Sequence, residues 1–216
     1  MHLCCSILPW GRSFGYVGHV SSNSAVGISP TPSRNRRQEE TFRRVLVAAR
    51  EMLRESSYAD LTVRAVAKRA NVAPATAYTY FSSKNHLVAE VYLDLIQQVP
   101  FFTDVNDARL SRIQQALRSL ALVVADEPEV AAACTTALMS GNDDAVVAVR
   151  NRIGAEIHRR ITSAIGPDAD ARTVGALEMT FFGALVQAGS GAFTYRQIAD
   201  QLTFVVSLIL GEPTPS

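Results

Sequence analysis

From Gln38 onward, apolar side chains recur along the chain at helical spacing almost without interruption. Phe42, Val45, Leu46, Ala49, Met52 and Leu53 stand at i, i+3, i+4, i+7, i+10 and i+11, the stripe of an amphipathic helix that should end near Glu55. Thr62 then offers an N-cap to a short second helix with Val63, Val66, Ala67 and Ala70 facing inward. Asn71 suits a left-handed turn residue and Val72 fills the gap behind it. Pro74, with its φ already helical, opens a third and very short helix reaching Phe81. Ser83 caps a fourth, whose Leu87, Val88, Val91, Tyr92 and Leu95 share a face until Pro100. Further on, Ile113, Leu117, Leu120 and Val124 mark a fifth helix, and four more are expected over 130–139, 144–165, 170–189 and 195–210. No segment alternates as a strand, so the expected fold class is all-α with about nine helices. Residues 1–33, rich in Gly, Ser and Pro with isolated Trp10, Phe14 and Tyr16, carry no helical period and read as a disordered leader.

Composition adds little until it is divided along the chain. A length of 216 residues, 48% of them hydrophobic, suffices for a real core. The formal net charge of +1 conceals a division: residues 34–84 hold 11 basic and 5 acidic groups (+6), and residues 85–216 hold 9 basic and 15 acidic (−6). A basic block ahead of a longer acidic segment points to nucleic acid. The alternative on this evidence is a helical interaction protein whose basic module binds a protein or RNA. Three cysteines, two adjacent as Cys4 and Cys5, offer neither a disulfide framework nor zinc spacing, and Cys134 reads as a small buried apolar residue. His86 and His158 share no metal motif, because Glu156 and His158 stand two apart on different sides of a helix. Neither a nucleophile elbow nor a phosphate loop nor a dinucleotide fingerprint occurs, so no enzyme, cofactor or metal is expected. The longest apolar runs are too short to span a bilayer. A cytoplasmic, non-membrane protein is the expectation.

Helices two and three, joined by a three-residue turn, have the spacing of a helix-turn-helix, in which the second helix enters the major groove. A helix over 74–81 is about 12 Å long, matched to a groove about 12 Å wide. Arg64 can fork onto guanine O6 and N7. Lys84, at a helix N-terminus beside the Ser83 hydroxyl, opposes the macrodipole unless a phosphate lies there, which suggests an anion site. Arg34, Arg36 and Arg37 read either as a DNA-contacting arm or as a solvated run.

The segment Leu61-Thr62-Val63-Arg64-Ala65-Val66-Ala67 followed by Asn71-Val72-Ala73-Pro74-Ala75-Thr76-Ala77-Tyr78-Thr79-Tyr80-Phe81-Ser82-Ser83-Lys84 resembles the N-terminal domain of the tetracycline-repressor (TetR) family. The likeness covers about residues 38–90. It implies a homodimeric transcription regulator, usually a repressor released from a palindromic operator by a small ligand. By that resemblance Thr62, Tyr78 and Lys84 meet phosphates, while Arg64, Thr76, Thr79 and Tyr80 face the groove, with Pro74 and Ala75 at the entry of the recognition helix. Asn71 stands where the family often has Gly, Ala73 where Ser or Thr commonly caps, and Ala77 where Leu is usual. The implied organisation is a leader (1–33), a DNA-binding domain (34–84) and a ligand-binding and dimerisation domain (85–216), with helix four relaying ligand binding to the reading heads. A largely apolar ligand is expected, lined by Tyr92, Phe101, Phe102, Cys134, Thr135, Met139, Met179 and Phe182. Arg150, Arg152, Arg159 and Arg160 read either as contacts to a polar head group or as solvent-exposed. Helices eight and nine are apolar on more than one side, and Phe182, Gly183, Val186, Gly189, Phe204 and Leu208 are the expected dimer face.

Overall fold

A computed structural model describes residues 35–101 and 106–211; the leader, Arg34 and Phe102 lie outside them. Within the described residues the fold is all-α, as expected. Its helices are α1 (Arg36–Glu55), α2 (Val63–Arg69), α3 (Pro74–Tyr80), α4 (Lys84–Gln98), α5 (Arg109–Ala121), α6 (Pro128–Ser140), α7 (Asp144–Ile165), α8 (Ala171–Gly189) and α9 (Tyr195–Leu210), with a 3-10 turn at Leu122–Val124 after α5.

Local chemistry sets where these helices begin. In α1, Asn35 Oδ1 accepts the Gln38 N–H at 3.0 Å while Gln38 Oε1 accepts the Asn35 N–H at 2.9 Å. This reciprocal capping box starts the helix two residues before the apolar stripe suggests. Ser83, Asp143 and Asp170 cap α4, α7 and α8 through their side chains, and Thr194 with Gln197 forms a second capping box for α9. The last turn of α9 stops at Gly211, whose φ of 66° is left-handed.

Helices α1 to α3 form a small head and α4 to α9 a larger body, and one continuous apolar core runs through both from Phe42 to Val206. Helix α4 is its spine: it packs on α1 toward the head and on α6 and α7 in the body. Helices α5, α8 and α9 form the far side, with α9 lying on both of the others. Phe81 and Phe181 are fully enclosed, one in each part; burying a side chain of this kind contributes about 1.5 to 3 kcal/mol.

The body also buries charge, and each buried group has a partner. Arg160 Nε donates to Glu156 Oε1 at 2.6 Å, and Arg150 donates to the carbonyls of Leu138 and Gly141, closing the C-terminus of α6. Arg152 on α7 pairs with the buried Glu90 of α4. Arg159 bonds Glu156 and, like Arg160, lies over the Phe101 ring. None of these four arginines is simply solvated: Arg150 and Arg152 tie helices together, and Arg159 and Arg160 hold Glu156 and the Phe101 ring. His158 Nδ1 meets Glu178 Oε1 at 2.7 Å, joining α7 to α8.

Candidate nucleic-acid interface

The helix-turn-helix is assembled from the residues whose spacing predicts it. Asn71 is the one non-glycine residue with positive φ (53°) among the described residues, the left-handed turn its short polar side chain tolerates. The turn is closed by the Asn71 N–H on Lys68 O and the Val72 N–H on Ala67 O (3.2 and 2.9 Å). Helix α3 starts without a side-chain cap at Ala73 and relies on Pro74 at its first position. Its inner side is Ala77, fully buried; next comes Phe81, which stacks on Phe42 with ring centroids 5.0 Å apart. The small Ala77 lets α3 sit close to its support.

What remains outside is the reading surface. Thr62, Arg64, Pro74, Ala75, Thr76, Tyr78 and Thr79 are exposed, Tyr78 by 52%. Tyr80 is half-buried with its edge on Phe42, so it serves the head's packing more than the expected base contact requires. Thr62 Oγ1 accepts the Ala65 N–H at 3.1 Å and so caps α2, and the hydroxyl proton stays available for a phosphate. Thr79 Oγ1 donates to Ala75 O at 3.1 Å and keeps its lone pairs. Between α2 and the turn opens a cleft of about 670 Å³ lined by Thr62, Arg64, Ala65, Lys68, Asn71, Val72, Ala73 and Pro74.

Ion pairing decides which of the head's positive charges are free. Arg69 is held by Glu51 and Glu55, Arg43 by Glu39, and Arg50 and Arg54 by Glu127. Arg64 and Lys68 make no ion pair among the described residues, and both line the cleft. Arg36 and Arg37 extend the positive charge from the exposed first turn of α1, as part of a helix rather than of an arm.

Lys84, expected at an anion site, also has partners within the protein. Its ammonium donates to Tyr58 O at 3.0 Å and lies 4.3 Å over the Tyr58 ring, while the Tyr58 hydroxyl bonds Asn85. The Ser83 hydroxyl is likewise engaged, accepting from the His86 N–H and donating to Asp143 Oδ2 at 3.1 Å. Two carbonyls in reach and an aromatic face below it orient this ammonium toward the loop before α2, and none of the three carries a counter-charge. Tyr58 and Glu127 are site residues that carry no motif: their partners stand 26 and 73–77 positions away.

Residues 45–91, the span that holds this head, match the family of bacterial regulatory proteins described as tetR. An HTH-type transcriptional regulator of Mycobacterium tuberculosis is 72% identical over 186 residues, 85% of this chain and 87% of that protein. The chain belongs to the TetR family. Among solved structures, a TetR transcriptional regulator from Rhodococcus sp. RHA1 shares the fold with a TM-score of 0.70 at 22% identity, over 83% of this chain and 99% of that one. BioQ, solved with its double-stranded DNA operator, shares it with a TM-score of 0.53 at 23% identity, over 79% of this chain and 98% of that one.

In this TetR-family protein the described residues among those expected to line a ligand pocket have differing surroundings. Tyr92 and Cys134 are buried in the core, and burial pushes the Cys134 thiol up to about 12. Thr135 is half-buried and reaches Tyr195 Oη at 3.4 Å. Phe101 lies under Arg159 and Arg160, beside a space of about 10 Å³, which is too small for a ligand. Met139 and Met179 project outward at 48% and 77% exposure, so the structure does not place them on an interior wall. Phe182 is half-buried against Phe181.

Of the residues expected at a dimer face, Val186, Phe204 and Leu208 are exposed by 51, 49 and 63%, Gly183 is open, and Met179 joins them. Gly189 belongs elsewhere. A Cβ on it would meet Thr135 Cγ2 at 2.6 Å, so its small size serves the packing of α8 on α6.

Proposed function

We propose that this regulator is a homodimeric repressor that reads a palindromic operator and is released from it by a small, largely apolar ligand. The observation that carries the reading is the concentration of unpaired positive charge, Arg64 and Lys68, in the cleft of the helix-turn-helix, while internal carboxylates engage Arg50, Arg54 and Arg69. Arg64, Thr76 and Thr79 take the base edges; Thr62 and Tyr78 take phosphates, with Pro74 and Ala75 letting the backbone at the start of α3 come close. Lys84 serves the same surface by bracing the loop that leads into Thr62. Residues 34–84 form the reading domain, and residues 85–216 the ligand-binding and dimerisation domain.

The bare apolar strip of Met179, Val186, Phe204 and Leu208 supports a self-complementary contact between two copies, since large exposed patches are rare on monomers. Such a dimer places its recognition helices about 34 to 36 Å apart, one turn of duplex. The effector site forms around Tyr92, Cys134 and Thr135 when the ligand opens the helices about them, and only a ligand that prefers one head separation shifts the population. The role is regulatory and not enzymatic, and its place is with the chromosome in the cytoplasm. Selection of binding sites from a random duplex pool with the full chain tests the reading: enrichment of an inverted repeat bound two chains per site is expected. If no inverted repeat is enriched, the reading is lost.

A further inference from the structure

The carboxylate of Glu127 receives two guanidinium groups at once. Arg50 and Arg54, one turn apart on α1, each present Nε to Oε2 (3.0 and 2.9 Å), and each presents Nη2 to Oε1. Only 15% of the Glu127 side chain is exposed, and the bonds from Arg50 and then Arg54 hold its pKa down at about 2. Its main chain is fixed as well: the Glu127 N–H bonds Val124 O at 3.1 Å and its carbonyl accepts from Ala131 at 2.9 Å, immediately before Pro128 opens α6. The side chain therefore leaves from a rigid point.

Helix α1 is the chassis of the head. It holds α2 through Arg69 bonded to Glu51 and Glu55, and α3 through Phe42 stacked on Phe81. Whatever fixes the last turns of α1 fixes the reading surface. On the other side of the clamp, α6 runs to Thr135, packed against Gly189 of α8, the helix that bears Met179, Gly183 and Val186 of the bare apolar strip. A continuous path joins reading head, α1, Glu127, α6 and α8. Two guanidiniums on one carboxylate also leave a net positive charge, so without Glu127 the arginines repel across one helical turn of α1 and the four bonds that tie α1 to the start of α6 are lost.

We propose that Glu127 is a positioning residue for operator recognition: its two-arginine clamp sets the tilt of the head on the body, and with it the half-site spacing that the dimer accepts. This rests on the reading above. The test uses the full chain and its Glu127→Gln variant, titrated by fluorescence anisotropy with the selected operator and with versions one base pair longer or shorter between half-sites. For the unaltered protein, affinity falls roughly tenfold at each changed spacing. Glu127→Gln binds the original operator roughly tenfold more weakly, and its preference among the three spacings shrinks to about twofold. A loss of stability alone lowers all three equally, so a Glu127→Gln protein that keeps the unaltered ratios overturns the proposal, whatever its absolute affinity. If circular dichroism finds Glu127→Gln unfolded, the double variant Arg50→Lys with Arg54→Lys keeps the charges but loses the forks. The same narrowing of preference is expected, and its absence is equally fatal. An unaltered protein that selects no inverted repeat at all defeats the regulator reading first, and this inference with it.

Discussion

Asn71 and Glu127 mark the two ends of what a residue reveals in a sequence. The left-handed turn at Asn71 is legible because the conformation is a local property of a short polar side chain between two apolar runs. The Glu127 clamp is not, because Arg50 and Arg54 are ordinary charges on the polar side of an amphipathic helix and their partner arrives from 73 to 77 positions away. Chemistry then separates their consequences. Arg64, without an ion pair in the cleft, is the residue proposed to read a base: Arg64→Ala should relax base preference at one position per half-site, at a cost of about 1 to 3 kcal/mol, and repeated site selection reads out the position. Glu127 acts on the fold. Its pKa is held at about 2, below the value of 4.5 normal for its type, so its stabilising contribution is complete above about 4.5 and is lost as the pH falls toward 2. In urea melts across that window, Glu127→Gln flattens the acid-side fall in stability and leaves the protein less stable at pH 7. An unchanged acid limb refutes the assignment.

At the scale of elements, spacing and caps give most of the architecture. The ends of α7 and α9 fall where Asp144, Ile165, Tyr195 and Leu210 suggest, since side-chain caps and glycines punctuate a helix chemically. Apolar periodicity misses the first turn of α1, which has no buried residue; it exists because Asn35 and Gln38 satisfy each other's N–H groups. The uncapped start of α3 invites repair. Ala73→Ser supplies the missing acceptor, worth about 1 kcal/mol, and should raise the melting temperature by about 2 to 4 °C. Which helix faces which is harder to read, and Gly189 shows why: a small residue on α8 suits a twin helix or a neighbour equally well. Its closeness to Thr135 makes the distinction measurable. Gly189→Ala forces a methyl into a stiff β-branched side chain and costs about 1 to 3 kcal/mol, and Thr135→Ala in the same chain recovers most of it. A Gly189→Ala protein of unchanged melting temperature excludes the contact.

For the whole molecule, the near-neutral charge becomes a division of labour. Of the head's arginines, Arg50 and Arg54 are bonded to Glu127 and Arg69 is bonded within the head, while Arg64 and Lys68 line the cleft without an ion pair among the described residues. No helix among the described residues is long and apolar enough to cross a membrane, and the proposed occupant of the strip on α8 and α9 is a protein partner. The choice of a second copy gives the sharpest test at this scale. Leu208 is 63% exposed, so Leu208→Glu leaves the protomer's fold intact; melting temperature and helical content stay those of the parent. Across a two-fold axis the same substitution enters the contact twice, and two uncompensated carboxylates in an apolar strip cost several kcal/mol. Sedimentation should therefore report 23.4 kDa for the variant and twice that for the parent. With its half-sites bound by separate protomers, the variant also loses the effective concentration of the second head, and operator affinity falls by about a hundredfold or more. Val147→Glu, a change at an exposed apolar residue on α7, is the control that should alter neither mass nor affinity. A Leu208→Glu protein that still sediments as a pair moves the dimer contact away from α9.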